Sequence, residues 1–413
     1  MNDPHNPACN RHLCILPWIH LFIKQNSQVY PCCFGSEAQS FGDVNDSDVM
    51  AIANDEPMKA IRRNMLAGEP SEHCSRCYDA EAAGFTSLRQ HKNSEFAHYL
   101  AKTRATNPDG GLDDFSMKYL DIRFSNICNF KCRFCGHASS SLWYDDYKML
   151  FPGFDRPRIL KAGRPGDDLW RQIEPALGEV ESLYFAGGEP LIMKEHYMIL
   201  ERLIQLGRTQ VRLCYNTNMS VLGYKDKDII DLWKQFDHVQ LGISVDGIGK
   251  RAEYIRKGTV WPAFLENIET VRNACPHVTI RGNLTITVFN VMTFADIFRY
   301  LDAANLFDGK PLDINFLNDP PFYSVQILPP AMKAKAASSI GGLVRDLEAA
   351  GRGGEADDAR AIVNFMNAKD DQARIKDFFI RTDKLDAFRG ECFEESFPEL
   401  RGLRAYDDAE AAV

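Results

Sequence analysis

Cys128, Cys132 and Cys135 lie in one short stretch, CNFKCRFC, and their thiolates are natural ligands for a metal centre. Three is an odd number of ligands. A cube of four irons and four sulfides is closed by four thiolates, so three leave one iron open to a substrate or cofactor. With His137 the same thiols make a set that suits tetrahedral zinc, although zinc sites of that kind usually pair two separated short-spaced couples. A second set precedes them: Cys14-x17-Cys32, then Cys74-x2-Cys77, with Cys9 and Cys33 as competitors. Four thiolates close either a cube or a structural zinc site, and both readings stand for this segment. Adjacent side chains of an extended segment point to opposite faces, so Cys32 and Cys33 do not both ligate one small centre. Cys214, Cys275 and Cys392 are isolated and read as small buried apolar residues; His137, His196 and His238 lack any partner pattern.

The elements that position these residues follow from periodicity. Tyr119 to Phe124, Ser182 to Ala186, Gln210 to Tyr215, Val239 to Val245, Val278 to Val288 and Leu312 to Phe316 are β-rich, and the intervals hold amphipathic patterns such as Tyr197 to Leu206 and Phe264 to Arg272. Six strands with helical crossovers predict an α/β fold with a parallel sheet curling into a partial (β/α)6 barrel, ligands sitting at the C-terminal strand ends. The compact triplet directly follows the first of these strands, at that edge. Before the barrel, a strand pair is expected around Trp18 to Tyr30 and a helix near Met58 to Leu66. After Pro330, helices are expected over Ala331 to Ala349, Asp357 to Ala368 and Asp371 to Phe379, with an acidic tail from Tyr406 to Val413. The expected domains are 1–102, a linker at 103–116 whose Gly, Asp, Asn and Pro are loop chemistry, the core at 117–330, and a helical cap and tail at 331–413.

The CxxxCxxC spacing, with Phe134 before its last cysteine, resembles the signature of the radical SAM superfamily. Other strand ends agree. Gly187-Gly188-Glu189-Pro190 resembles the family's GGEP-type segment, whose backbone meets the amino group of the methionine part of S-adenosylmethionine. Asn216 and Asn218 in NTN, and Ser244 and Asp246 in SVDG, resemble its ribose and carboxylate contacts, and Arg256 resembles the arginine that pairs with the methionine carboxylate. The resemblance covers about Met117 to Leu328. It implies a 4Fe-4S cluster on Cys128, Cys132 and Cys135 whose open iron binds S-adenosylmethionine. Reductive cleavage there yields a 5′-deoxyadenosyl radical that abstracts hydrogen from a substrate. Taken singly, GGEP, NTN and SVDG are ordinary turns; their order at successive strand ends carries the resemblance.

Around the first thiols, LPWIHLFI, VYPCC and GEPSEHCSRCYDAEAAGFTSLRQ resemble the twitch domain, a shortened SPASM-type auxiliary iron-sulfur domain. The resemblance implies a second 4Fe-4S cluster on Cys14, Cys32, Cys74 and Cys77. Ser27 stands where that family has a glycine, and the auxiliary domain more often follows the core than precedes it.

Composition sets the limits. Hydrophobic residues make up 45% and charged residues 25% of the 413, which excludes wholesale disorder. Net charge −9 gives no field for phosphate backbones, so nucleic acid is not an expected partner. The longest apolar run, Cys14 to Ile23, is broken by Pro17 and His20, and the start MNDPHNPACNRH lacks the pattern of a secretory signal, so a cytoplasmic protein without membrane spans is expected. The expected function is a radical SAM enzyme acting on a peptide or small metabolite by oxidation, cross-linking or epimerisation, fed by an electron donor such as flavodoxin or ferredoxin. The alternative from the residues alone is a non-catalytic metal-binding protein with structural or redox-sensing sites.

Overall fold

Alternating burial along Thr279–Ile286, with Ile280, Gly282, Leu284 and Ile286 buried and the residues between them not, is the signature of a strand with one face on the core. The computed structural model describes residues 3–82, 86–166 and 168–408. Within it the chain divides into two units. One comprises Met1–Asn126, Ile159–Tyr215 and Asp231–Val239; the other comprises Ile127–Arg158, Asn216–Ile230 and Gln240–Val413.

In the first unit the strands are β1 (Phe22–Ile23), β2 (Gln28–Tyr30), β3 (Gly42–Asp43), β4 (Tyr119–Ile122), β5 (Ser182–Phe185) and β6 (Arg212–Thr217). Their order is β6-β5-β4-β1-β2-β3. β4, β5 and β6 are parallel, and the buried residues Leu120, Leu183 and Leu213 share that sheet. β1 adds to it in parallel, Phe22 opposite Asp121, while β2 and β3 return antiparallel. Trp18, expected in a strand, lies instead in a short helix, Leu16–Ile19. Pro17 explains this: it lacks an N–H and fits the first helical turn. The expected helix near Met58 to Leu66 is Glu56–Ala67. It buries Arg62, which donates to the carbonyls of Pro17 (2.9 Å), Ala53 (2.6 Å) and Gly110 (3.1 Å).

In the second unit a hairpin of β7 (Gly223–Tyr224) and β8 (Lys227–Asp228) precedes the parallel trio β9 (Val239–Ser244), β10 (Thr279–Ile286) and β11 (Leu312–Phe316). Gly282 of β10 pairs with Ile243 and Leu312. After β11 come the helices Pro330–Ala349, Gly353–Asn367 and Ile375–Arg389. The first two bury Ile340, Leu343 and Leu347, and Ala359, Ile362 and Met366. The third starts four residues later than Asp371 because Gln372–Arg374 forms a 3-10 turn, and it runs on past Phe379. The end of the expected acidic tail, 409–413, lies outside the described residues. Among the described residues no helix is long and apolar enough to cross a membrane.

Two buried histidines make the first unit acid-sensitive. His20 donates Nδ1–H to the Tyr119 carbonyl at 2.9 Å, and His196 Nε2 lies 2.9 Å from the Tyr215 hydroxyl. Burial holds both down to about 3. The unfolded chain binds a proton at each below about 6.5 that the folded chain does not, so stability falls as pH drops from there towards 3. Each histidine contributes roughly 1.4 kcal/mol per pH unit across that window. Urea unfolding between pH 7 and 5 is expected to show this slope, and His196→Gln to flatten it by one histidine's share; an unchanged slope in that variant contradicts the assignment.

Candidate functional site

The triplet loop belongs to the second unit and is zipped onto one neighbouring segment. The Lys131 and Arg133 N–H groups donate to the Lys257 and Ile255 carbonyls at 2.9 and 2.8 Å. The Phe130 N–H points at Cys128 Sγ, 3.4 Å away, and the Cys135 N–H donates to the Cys132 carbonyl at 3.0 Å. The indole of buried Trp143 donates to that same carbonyl at 3.0 Å. The backbone of every residue from Phe130 to Arg133 thus has a defined partner, and Gly258 makes the close approach possible. It sits at φ +120°, and a Cβ there would stand 2.5 Å from Phe130 Cδ1 and 3.0 Å from the Asn129 carbonyl oxygen.

Cationic side chains act on Cys132 and Cys135. The Cys132 thiol is pulled down to about 7, chiefly by its hydrogen bond with Cys135, with Arg256 and Arg389 helping against burial. The same bond pushes Cys135 up. Arg256 spends Nη1 on Asp246 Oδ2 at 2.7 Å while its buried Nε has no acceptor among the described residues. Asp246 is fixed in turn by the Thr285 N–H at 2.7 Å and, through its carbonyl, by Asn290 at 3.1 Å.

The strand-end residues of the second unit fall into two sets of contacts, one of which reaches the loop. Ser244 pairs with Asn283 across β9 and β10, and Asn283 Nδ2 donates to Asn216 Oδ1 at 2.7 Å. Asn218 Nδ2 donates to Asn129 Oδ1 at 2.9 Å, and Asn129, next to Cys128, donates to Ser220 at 2.8 Å. Phe134 is half-buried between two of the cysteines.

Gly187, Gly188, Glu189 and Pro190 belong to the first unit. The glycines take φ +78° and +57°, and a Cβ on Gly187 would stand 2.5 Å from Arg123 Cδ. Glu189 is buried and accepts from the Leu191 N–H at 3.1 Å, capping the short turn that starts at Pro190.

The first unit also gathers the early thiols. Cys14, Cys32, Cys74 and Cys77 line one small cavity with Leu16, Phe34 and Leu88. Burial pushes Cys32 up to about 12 and Cys74 to about 11, with the neighbouring sulfurs adding to the rise. Cys14 and Cys77 rise as well, again chiefly through burial. Arg89 braces the cavity: it takes Glu81 with two nitrogens at 2.9 and 2.6 Å and the Leu13 carbonyl at 2.8 Å. Cys9 is exposed, away from this cavity. Cys33 turns to the buried Asp121 carboxylate instead, which itself pairs with Arg123 at 3.0 Å. Ser27 takes φ +72°, the left-handed conformation glycine adopts most easily, and its hydroxyl accepts from the Gly163 N–H at 3.1 Å. Among the described residues no three His, Cys, Asp or Glu side chains converge on a single-ion site; the four thiols surround a cavity.

Asp121, Arg123 and Arg389 were not singled out from sequence. A charged residue in a loop or strand that must be buried calls for a partner, but nothing local names that partner.

Two segments of the chain match known protein families. Residues 122–304 match the model of the radical SAM superfamily, and residues 14–78 match that of the SPASM iron-sulfur cluster-binding domain. The middle of the chain thus carries a radical SAM domain, and the segment before it a SPASM domain. The SPASM domain lies at the N-terminal end, and the two domains imply S-adenosylmethionine, a 4Fe-4S cluster and auxiliary iron-sulfur as cofactors. Among its relatives, the GTP 3′,8-cyclase of Mannheimia succiniciproducens is 27% identical over 148 residues, 35% of this chain and 38% of that one. That of Actinobacillus succinogenes is 27% identical over 139 residues, 33% of this chain and 35% of that one. The chain spans little more than a third of the length of these curated relatives. The crystal structure of Streptococcus suis SuiB bound to precursor peptide SuiA aligns with a TM-score of 0.37 and 15% identity, over 67% of this chain and 60% of that one.

Gly258→Ala tests the zipped loop. Its left-handed backbone and the overlap with Phe130 are together expected to cost roughly 2–4 kcal/mol, read as a lowered urea midpoint, with a near-ultraviolet circular dichroism change from displaced Phe130. A variant as stable as the parent contradicts the contact.

Proposed function

We propose that Cys128, Cys132 and Cys135 hold the catalytic 4Fe-4S cluster and that the enzyme uses S-adenosylmethionine there to oxidise, cross-link or epimerise a peptide or small metabolite. The observation that carries this reading is the single network running from the cysteine loop through Asn129, Asn218 and Ser220 and, beside it, Arg256 and Asp246. When bound and reduced, the cluster supplies the electron that splits the sulfur to 5′-carbon bond, giving methionine and a 5′-deoxyadenosyl radical that takes hydrogen from a substrate C–H.

The chain's own residues bind and orient. Arg256 offers its unspent guanidinium edge to the methionine carboxylate, a planar cation suited to two-point recognition. Asp246 holds that guanidinium in place. Asn216, Asn218 and Ser244 contact the ribose and carboxylate, and Gly187, Gly188, Glu189 and Pro190 receive the amino group. Phe134 packs beside the cofactor. Cys14, Cys32, Cys74 and Cys77 hold the auxiliary cluster, their placement around a cavity suiting several irons better than one zinc. All four thiolates being used, substrate does not bind that cluster directly.

The substrate is polar in this reading. One half-buried face of β10 and β11 carries Arg281 bound to Asp313 through two contacts of 2.9 Å, with Asn283 and Thr285 beside them. Amide and charged groups of that kind suit a peptide backbone or a hydroxylated metabolite. Flavodoxin or ferredoxin in the cytoplasm supplies the electron.

Anaerobically reconstituted protein given S-adenosylmethionine and a strong reductant is expected to form 5′-deoxyadenosine, and Cys128→Ala to form none. Cys74→Ala is expected to keep most of the uncoupled cleavage. Equal losses in folded proteins would refute this division of roles.

A further inference from the structure

The triplet loop carries two cations, Lys131 and Arg133, between its thiols, and both charged partners of Arg133 sit far along the chain. Arg133 is fully buried, donates to Asp386 and, at 2.5 Å, to Glu391, and lies over the Tyr254 ring at 3.9 Å. Asp386 also accepts from the Tyr254 hydroxyl at 2.8 Å and the Phe393 N–H at 2.6 Å, and Glu391 reaches Lys257 at 2.9 Å. Lys131 pairs at 3.0 Å with Asp146, whose other oxygen takes Arg389 Nε at 2.6 Å. Asp386, Arg389 and Glu391 lie on or just beyond the helix Ile375–Arg389, in a region that neither family match reaches.

Arg389 is the informative member. Its side chain is fully buried, its guanidinium lies 4.6 Å over the Trp143 ring, and that indole holds the Cys132 carbonyl. Only Nε is satisfied. Both Nη1 and Nη2 are buried without an acceptor among the described residues. Buried donors of a charged group are costly unless something accepts from them, so these two N–H groups call for an acceptor beyond the described side chains.

We propose that Arg389, carried by the C-terminal helix, is a positioning and charge-setting residue for the cluster of the triplet loop: it braces the loop through Asp146 and Trp143 and raises the cluster's reduction potential with its unspent N–H groups. The inference rests on the assignment of Cys128, Cys132 and Cys135 as ligands. A nearby cation favours the reduced, more negative cluster, and hydrogen bonds to cluster sulfur act in the same direction.

The test is a potentiometric titration of the full-length, anaerobically reconstituted protein followed by electron paramagnetic resonance. The signal of interest is the one lost in the Cys128→Ala/Cys132→Ala/Cys135→Ala variant. Arg389→Gln is expected to move its midpoint to more negative values and Asp146→Asn to more positive ones, with Arg389→Lys in between. Asp383→Asn, which breaks an ion pair with Arg404 (2.7 Å) on the same helix away from the loop, is expected to leave it unchanged. A merely structural brace would shift both loop-side variants alike or only lower their iron content. Unchanged midpoints, or shifts of one sign in Arg389→Gln and Asp146→Asn, would overturn the proposal. Should Arg389→Gln fail to fold, Asp146→Asn decides alone, and no upward shift there overturns it. If the triple variant loses no signal, the ligand assignment itself falls, an outcome separate from unaltered midpoints in the Arg389 and Asp146 variants.

Discussion

A buried loop that presents three thiolates must be given positive charge and held still, and much of the second unit answers that demand. Cys132 is buried, and a thiolate there without compensation would carry the desolvation cost of an isolated ion. Arg256 and Arg389 provide the compensation, each anchored by its own carboxylate, Asp246 and Asp146. These cations need their carboxylates as much as the sulfurs need the cations. Asp146 and Asp246 are themselves almost wholly buried, so the site is a set of alternating charges in which removal of one member leaves its neighbour unpaired.

The first unit meets a related demand with less charge. Its four thiols line an apolar cavity, and burial, with the neighbouring sulfurs adding to it, keeps them protonated at neutral pH in the metal-free chain. Binding metal must therefore release protons, which couples occupation of that site to pH and to folding of the segment. Arg89 prepares the geometry by tying the Leu13 carbonyl, beside Cys14, to Glu81 on the helix that bears Cys77. Cys33 serves the sheet instead, its thiol turned to Asp121 on β4.

The parts legible in the sequence were those written in local periodicity. All six β-rich runs became strands, from Tyr119–Ile122 to Leu312–Phe316, because alternating or continuous burial there is strong and each run is bounded by turn chemistry. The cysteine spacings identified both thiol clusters for the same reason. Trp18 misled because an aromatic and β-branched run looks extended until the proline at its start is weighed as a helix-initiating residue. The parallel pairing of β1 with β4 joins Phe22 to Asp121, and no local pattern records a contact across that separation. Ser27 shows the converse: a departure from a family's glycine that the left-handed region still admits, with a hydroxyl that finds a backbone donor.

The partners of Arg133 were the least legible, and their remoteness has a physical sense. A family pattern preserves groups that touch the cofactor, since their geometry is fixed by its chemistry. The braces behind them need only be stiff and of the right charge, so they can come from any segment that folds over the loop. Here they come from the end of Ile375–Arg389, where the chain turns at Gly390 and brings Glu391 back towards Arg133. Buried ion pairs contribute little net stability compared with apolar packing of the same volume, but they tolerate only one arrangement. Arg133 between Asp386, Glu391 and the Tyr254 ring fixes the register of the loop in a way that a leucine among leucines would not. For a loop whose three sulfurs must meet one rigid cube, that uniqueness matters more than the free energy of the contact.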